Sequence, residues 1–325
     1  MLKTTVVGNY PKLPSRPGDT NIRRLLHRFD KGKIAQAELD QAFAEVTERV
    51  IGEQVERGID LLTDGQIRWN DIITPIAAGA AGFQIGGLIR WFDNNVLYRK
   101  PQIISPIKWT KAITVDNFSF AREKTKRPIK TVLPAPFSFR QLSDDRYYRD
   151  SDRLLEDVVT LLRRETESLI AAGATQIQFD EPSLQYHPKE IATAAAAINE
   201  VTRGLDATFW LCFYFGSVEE IVSKFDLFNV QVIAADCVSR PENFRVLLNL
   251  SGDYNVCFGL LDARNIKLEE RRTLLEQYEK IALKFPEAYI SPSCGLEFLP
   301  HVDALKKLEL LAASVQRFNE GGGDA

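Results

Sequence analysis

Short apolar runs rich in β-branched and aromatic residues alternate along this chain with longer segments whose apolar residues recur at helical spacing. Such alternation is typical of repeated strand–helix units around a parallel sheet. Eight strands are predicted, at Thr4–Val7, Leu61–Thr63, Thr131–Leu133, Gln176–Phe179, Thr208–Phe213, Val230–Ala234, Asn255–Gly259 and Tyr289–Ser291. The pattern predicts the α/β class and a closed (β/α)8 or TIM barrel, with a doubly wound open sheet as the alternative.

One region does not fit a strand–helix unit. Between about residues 71 and 126, a stretch rich in glycine and alanine precedes extended apolar pieces, one of them at Ile103–Ile104. We therefore predict an insertion after the second strand, in the form of a hairpin. The sequence otherwise predicts one barrel domain over residues 1–320, followed by a flexible glycine-rich tail at 321–325.

The composition excludes several classes of protein. Hydrophobic residues make up 45% and charged residues 26%, which is typical of a globular chain and not of a disordered one. The net charge of −3 provides no basic field for nucleic acid. The apolar stretch at 72–88 is short and contains Pro75, and the N-terminus lacks a signal-peptide pattern. We expect a cytoplasmic protein that binds neither nucleic acid nor membrane.

Polar residues follow most of the predicted strands at the point where each strand ends. In a barrel of this kind, the carboxyl ends of the strands meet on one face, and the chemistry is carried out there. Recurrence of polar groups and of two of the four cysteines at that face predicts a functional site. The residues concerned are Gly8–Pro11, Asp64–Gln66, Pro134–Pro136, Asp180–Pro182, Cys212, Asp236–Cys237, Asp262 and Ser293–Gly295.

Two cysteines are candidate metal ligands. Cys212 ends the fifth strand and Cys294 follows the eighth, so a closed barrel can bring them together. Two thiolates suit Zn²⁺, and Asp236 is the best third ligand, with the adjacent Cys237 as its substitute. The alternative is that both cysteines are apolar core residues, as we expect for Cys257 inside the seventh strand.

Asp180 is the candidate for acid–base chemistry. It ends an apolar strand beside Glu181, and its carboxylate can hold a substrate cation or act as a base. The alternative is a helix N-cap. The three histidines, His27, His187 and His301, fit surface or capping positions better than ligand positions. The glycine-rich loops of dinucleotide- and nucleotide-binding proteins are absent from the sequence.

Taken in order, five segments resemble the motifs of the cobalamin-independent methionine synthase family. They are Thr4–Pro11, Asp64–Arg68, Ile177–Pro182, Cys212 and Ser291–Leu296. The resemblance covers nearly the whole chain and matches the catalytic C-terminal barrel of the family, in its short single-barrel form. It implies a TIM barrel and a methyltransferase that moves a methyl group to the zinc-activated thiol of homocysteine or a related compound.

The resemblance also implies a zinc site with an altered ligand set. The family holds its metal with a His-x-Cys pair, a glutamate and a distant cysteine, which correspond here to Trp210 with Cys212, to Asp236 and to Cys294. An indole nitrogen is only a donor and cannot bind a metal. Zinc is therefore expected with Cys212, Asp236 and Cys294 as ligands and with one ligand missing.

By the same resemblance, Gly8, Asn9, Gln66, Asp180 and Trp210 are expected at the substrate. Gln66 stands where the family has a glutamate that helps to hold the amino group of homocysteine, and a neutral amide lacks that charge. Asp180 keeps a carboxylate and is the expected catalytic group, together with Asp262 after the seventh strand. At Asp262 the sequence is similar to the short members, without the histidine that long members place near the transferred methyl group.

The sequence leaves the methyl donor open: it is a folate, a corrinoid carried by another protein, or a simpler compound. Two alternative functions remain. One is an alkyl-thiol transferase or lyase on the same barrel with a substrate that is not an amino acid. The other is a metal-free, catalytically divergent relative.

Overall fold

The structure, a computed structural model, describes residues 1–12, 18–94 and 96–321. Seven strands form one parallel sheet in the order β1-β10-β9-β8-β7-β6-β4, and three form a second sheet in the order β2-β3-β5. The strands are β1 (Lys3–Thr4), β2 (Ala81–Arg90), β3 (Leu97–Lys108), β4 (Thr131–Pro134), β5 (Asp144–Asp145), β6 (Gln176–Asp180), β7 (Thr208–Phe213), β8 (Val232–Asp236), β9 (Asn255–Leu261) and β10 (Tyr289–Pro292).

A further segment closes the larger sheet into a barrel. Thr5 pairs with Leu61, and Leu62 pairs with Ile129, through parallel bridges. Thr5 directly follows β1 and Ile129 lies just before β4, so this segment fills the gap between the two edge strands. The predicted TIM barrel is therefore confirmed, with its second strand reduced to bridges. The sixth predicted strand, Val230–Ala234, forms two residues later as β8.

Helices surround the barrel and bury one apolar face against it. They are α1 (Ile22–Asp30), α2 (Gln36–Glu56), α3 (Thr74–Gly79), α4 (Val115–Glu123), α5 (Pro136–Gln141), α6 (Ser151–Ala171), α7 (Ile191–Thr202), α8 (Glu242–Leu248), α9 (Arg271–Ala282) and α10 (His301–Asn319). Helix α6 illustrates the local rules. Asp150 caps its N-terminus by accepting the N–H groups of Asp152 and Arg153, and Leu154, Val158 and other apolar residues at helical spacing are buried.

The region after the second strand is an insertion, as predicted. Strands β2 and β3 form an antiparallel hairpin, and β3 adds β5 in parallel. Glu165 on α6 holds the end of the insertion by accepting hydrogen bonds from Trp109 Nε1, from Thr114 Oγ1 and from the N–H groups of Ile113 and Thr114. This anchoring fixes the hairpin against the barrel.

Two other sequence predictions concern the limits of the chain and membranes. The single-domain boundary at residue 320 stays a prediction, and residues 322–325 of the predicted tail lie outside the described residues. Among the helices of the described ranges, none has the length and apolar character needed to cross a membrane.

Candidate active site

A cleft of about 480 Å³ opens at the carboxyl ends of the barrel strands. Its floor includes Val7 and Cys294, and Asp180 lies on one wall. Trp91 and Tyr98 from the inserted hairpin also line it. A cleft with apolar walls and a few polar groups is typical of a site for small molecules. The structure therefore places the candidate site at the predicted face of the barrel.

Asp180 projects into this cleft at the end of β6. It is buried, and its Oδ1 accepts Gln178 Nε2 at 2.6 Å while its Oδ2 accepts the hydroxyl of Tyr214 at 3.1 Å. Burial raises the pKa of Asp180 to about 7, although these hydrogen bonds and Lys130 favour the charged form. A carboxyl group with such a pKa exchanges protons readily near neutral pH, as a catalytic base requires.

Gln66 lies in the cleft in a left-handed backbone conformation. Its φ is +47°, which is rare for a residue other than glycine, and its N–H group donates to Asp64 Oδ1. Both side-chain amide atoms are buried, and neither has a hydrogen-bond partner among the described residues. Unpartnered buried amides are costly and cluster where a ligand binds. Gln66 is therefore positioned to bind a polar group of a ligand.

Gly8 and Asn9 complete this side of the cleft. A Cβ atom at Gly8 would lie 2.6 Å from Gln66 Oε1, so only glycine leaves room for the amide. The Oδ1 atom of Asn9 is another buried acceptor that no described donor reaches. The structure thus places Asn9, Gln66 and Asp180 in one cleft, with Gly8 against the Gln66 amide, and their contact with substrate stays a prediction.

Sequence reasoning missed Glu297. It is the middle residue of a short 3-10 helix (Leu296–Phe298) after β10, three residues beyond Cys294, and it lines the cleft. Burial raises the pKa of Glu297 to about 7, against the opposing charge of Lys12. Its Oε2 atom is buried and has no donor within the described part of the chain. The only signal in the sequence was a carboxylate soon after the Cys–Gly pair.

The predicted zinc ligands do not form a metal site. Within residues 1–12, 18–94 and 96–321, no group of three or more His, Cys, Asp or Glu side chains is arranged to hold a metal ion. Asp236 accepts the N–H groups of Val238 and Ser239 at 2.9 Å and that of Phe215 at 3.4 Å, so backbone donors occupy both its oxygens.

The two cysteines are better described as buried thiols. Burial raises the pKa of Cys212 and of Cys294 well above the ordinary range, and the charge of Asp180 adds to the effect at Cys212. The thiol of Cys294 donates to its neighbour Gly295 O at 3.6 Å. A zinc centre needs a further donor beside two thiols, and no group of three such side chains is arranged within the described residues, so the residues present do not fit a zinc centre.

The structure does not bring Trp210 to the cleft. Its indole Nε1 donates to Gln176 Oε1 at 2.8 Å, and Gln176 is the first residue of β6. The ring lies 4.3 Å from the Nζ atom of buried Lys130 and packs on Tyr289. These contacts point the indole toward the N-terminal end of the barrel, where it fills the interior. Trp210 therefore fills the barrel interior and is not among the residues that line the cleft, and its contact with substrate stays a prediction.

Asp262 also lies outside the cleft lining. Its Oδ1 accepts the N–H group of Arg264 and so caps the turn after β9. Among the histidines, His301 pairs with Glu53 at 2.9 Å, in agreement with a structural position. A catalytic role for Asp262 thus has no support in this geometry.

Arg264 connects the hairpin to the barrel mouth. Its guanidinium donates to Asn94 Oδ1 at 3.1 Å and to Ser239 Oγ at 2.7 Å, and it lies 5.3 Å from the ring centre of Phe215. Phe215 packs on Phe92 of the hairpin, and both have positive φ. These contacts hold the hairpin over the cleft.

Comparisons with known proteins identify the family and the fold. The family model for the catalytic domain of cobalamin-independent synthase matches residues 2–316. The methionine synthase of Saccharolobus solfataricus is 28% identical over 95% of this chain and 92% of that protein, and the methionine synthase of Sulfurisphaera tokodaii is 29% identical over 95% and 90%. The B12-independent methionine synthase of Shewanella sp. W3-18-1, solved with selenomethionine, has a similar fold, with a TM-score of 0.84, 20% identity and coverage of 99% and 98%.

Proposed function

The chain belongs to the cobalamin-independent synthase family through its catalytic domain, and from this premise we propose that it moves a methyl group to the sulfur of homocysteine or a related small thiol. Membership confirms the predicted enzyme class, a methyltransferase of the methionine synthase type, and leaves its specificity open. Homocysteine is proposed as the acceptor because the curated relatives are named methionine synthases.

The observation that carries the proposal is the cleft at the barrel mouth, which Asp180 lines. Each oxygen of Asp180 accepts one hydrogen bond, from Gln178 or from Tyr214, so lone pairs remain for a substrate. The apolar residues Val7 and Phe298 provide surface for the methylene groups of a small thiol. This combination suits a compact molecule that carries one acidic S–H group.

The proposed step follows from the chemistry of a thiol. The sulfur attacks the methyl carbon of the donor, so the S–C bond forms as the bond between the donor and the methyl group breaks. The thiol proton passes to Asp180, and the departing donor later takes up a proton. An ordinary thiol has a pKa of about 8.5, so transfer to a carboxylate with a pKa of about 7 costs roughly 2 kcal/mol.

The family resemblance implies activation of the thiol by zinc. The geometry favours the metal-free form, because Trp210 replaces the one histidine and Asp236 is occupied by backbone donors. Asp180 then supplies the base that a metal would otherwise make unnecessary. The donor is proposed to be a folate or a methyl corrinoid on a carrier protein, and the location is proposed to be cytoplasmic.

The test is methylation of homocysteine by the purified chain, followed by mass spectrometry of methionine. We would supply 5-methyltetrahydrofolate or methylcobalamin as the donor. The proposal predicts methionine with at least one donor and its loss in Asp180→Asn. Asp253→Asn, in an exposed loop before β9, serves as the matched control. Absence of methionine with both donors, or full activity of Asp180→Asn, would contradict the proposal.

A further inference from the structure

Glu297 is a carboxyl group of the cleft that faces the charge of Lys12 and still has a buried oxygen without a hydrogen-bond donor. Asp71 also lines the cleft, but its oxygens accept hydrogen bonds from Ile73 N, from Thr74 N and from the hydroxyl of Thr74. Asp180 accepts one bond on each oxygen. The Oε2 atom of Glu297, in contrast, is buried and accepts none from the described residues. A buried carboxylate oxygen without a donor is costly, and a ligand that donates to it would remove that cost.

The position of Glu297 is fixed by its neighbours. Its carboxyl group lies directly against the α-carbon of Gly295, where any side chain would displace it. The N–H group of Leu296 donates to Asn9 O at 2.7 Å, so the segment that carries Glu297 is tied to the loop after β1. The carboxyl group is therefore held at the cleft wall before a ligand arrives, which lowers the entropy cost of binding.

Gln66 supplies the complementary group. It is only 2% exposed, it lines the same cleft, and its Nε2 atom has no acceptor in the described ranges. An amide N–H group suits a ligand carboxylate, whereas a carboxylate oxygen that lacks a hydrogen-bond donor suits an ammonium group. The two side chains thus match the two charged ends of an α-amino acid.

We propose that Glu297 binds the ammonium group of an amino-acid thiol and so determines that this site takes an amino acid rather than a simple thiol. This inference rests on the proposed function for the identity of the thiol. Gln66 donates to the carboxylate of the same ligand. Asp180 remains free to accept the thiol proton. Glu297 then binds the ligand, and Asp180 takes part in the reaction.

The test compares two probes that differ only in the amino group, homocysteine and 4-sulfanylbutanoate. Binding of each is measured by isothermal titration calorimetry at pH 8, where the carboxyl group of Glu297 is ionised. We expect the wild-type chain to prefer homocysteine and Glu297→Gln to lose at least about tenfold in affinity for it. The same variant is expected to bind 4-sulfanylbutanoate as the wild type does, and Glu297→Asp to recover part of the loss.

The comparison of probes separates recognition from stability. Glu309→Gln, an exposed position on α10, is the matched control, and thermal melting checks that each variant is folded. Unchanged affinity of Glu297→Gln for homocysteine, an equal loss for both probes, or no binding of either probe to the wild type would overturn the inference. Since no methyl donor is present, failure of methyl transfer would leave this result intact and would count only against the proposed function.

Discussion

At the residue scale, Asp180 and Gln66 owe their properties to what surrounds them. Burial of Asp180 raises its pKa to about 7, because water no longer stabilises the charge. Gln66 is held at a φ of +47° by a turn in which Asp64 Oδ1 accepts its N–H group. Strained, unpartnered groups of this kind persist where function requires them.

The pH dependence of the reaction should report Asp180. Only its ionised form accepts a proton, so we expect kcat to rise with pH through about 7 and then to level off. Asp180→Asn should lower kcat by about a hundredfold or more and abolish this rise. Steady-state rates between pH 5.5 and 9 provide the measurement. A flat profile for the wild type would count against Asp180 as the base.

Gly8→Ala should disturb the binding of substrate more than the fold. The added methyl group would lie 2.6 Å from Gln66 Oε1, so the amide has to move. We expect KM for the thiol to rise severalfold. Gly87→Ala, where an added Cβ atom meets nothing within 4 Å, is the control and should leave KM unchanged. Equal KM values for both variants would show that Gln66 does not contact the substrate.

At the scale of elements, the inserted hairpin is what turns an open barrel mouth into a cleft. Its residues Trp91 and Tyr98 line the site, and the anchors are Glu165 at its end and Arg264 at its tip. The alternation of strands and helices predicted that an insertion exists, but the anchors are contacts between residues distant in sequence. Composition and periodicity carry no signal for such contacts.

Removal of the Glu165 anchor should destabilise the protein. Glu165→Ala would leave the donors on Trp109, Ile113 and Thr114 without their buried acceptor. We expect the free energy of unfolding to fall by about 3 kcal/mol, as measured by urea denaturation. Glu156→Ala, at an exposed position of the same helix, should change it by less than about 0.5 kcal/mol. Similar values for the two variants would refute the anchoring role.

Arg264→Ala should loosen the tip of the hairpin. The variant removes the bonds to Asn94 and Ser239 and the contact with Phe215. Hydrogen–deuterium exchange is expected to become faster at residues 91–94, with little change in the strands of the barrel. Unaltered exchange at the tip would mean that packing of Phe92 alone holds the hairpin.

At the scale of the whole molecule, the sequence was sufficient for the barrel and for part of the site. Strand–helix alternation is a local pattern, and residues at strand ends converge by topology, so Asp180 and Gln66 could be placed in advance. The direction of Trp210 depends on packing against Lys130 and Tyr289 inside the barrel, which no motif encodes. Glu297 could not be predicted for a different reason. It follows the Cys294–Gly295 pair at a position to which the family resemblance assigns no role.

The central claim is thiol methylation with Asp180 as the base and without zinc. The most direct measurement is methylation of homocysteine by chelator-treated protein, with zinc counted per chain in the same sample. We expect chelator-treated protein to methylate homocysteine at the same rate as untreated protein, with far less than one zinc per chain. The rate should also stay the same after zinc is added. A rate that falls to background on chelation and returns with about one zinc per chain would contradict it.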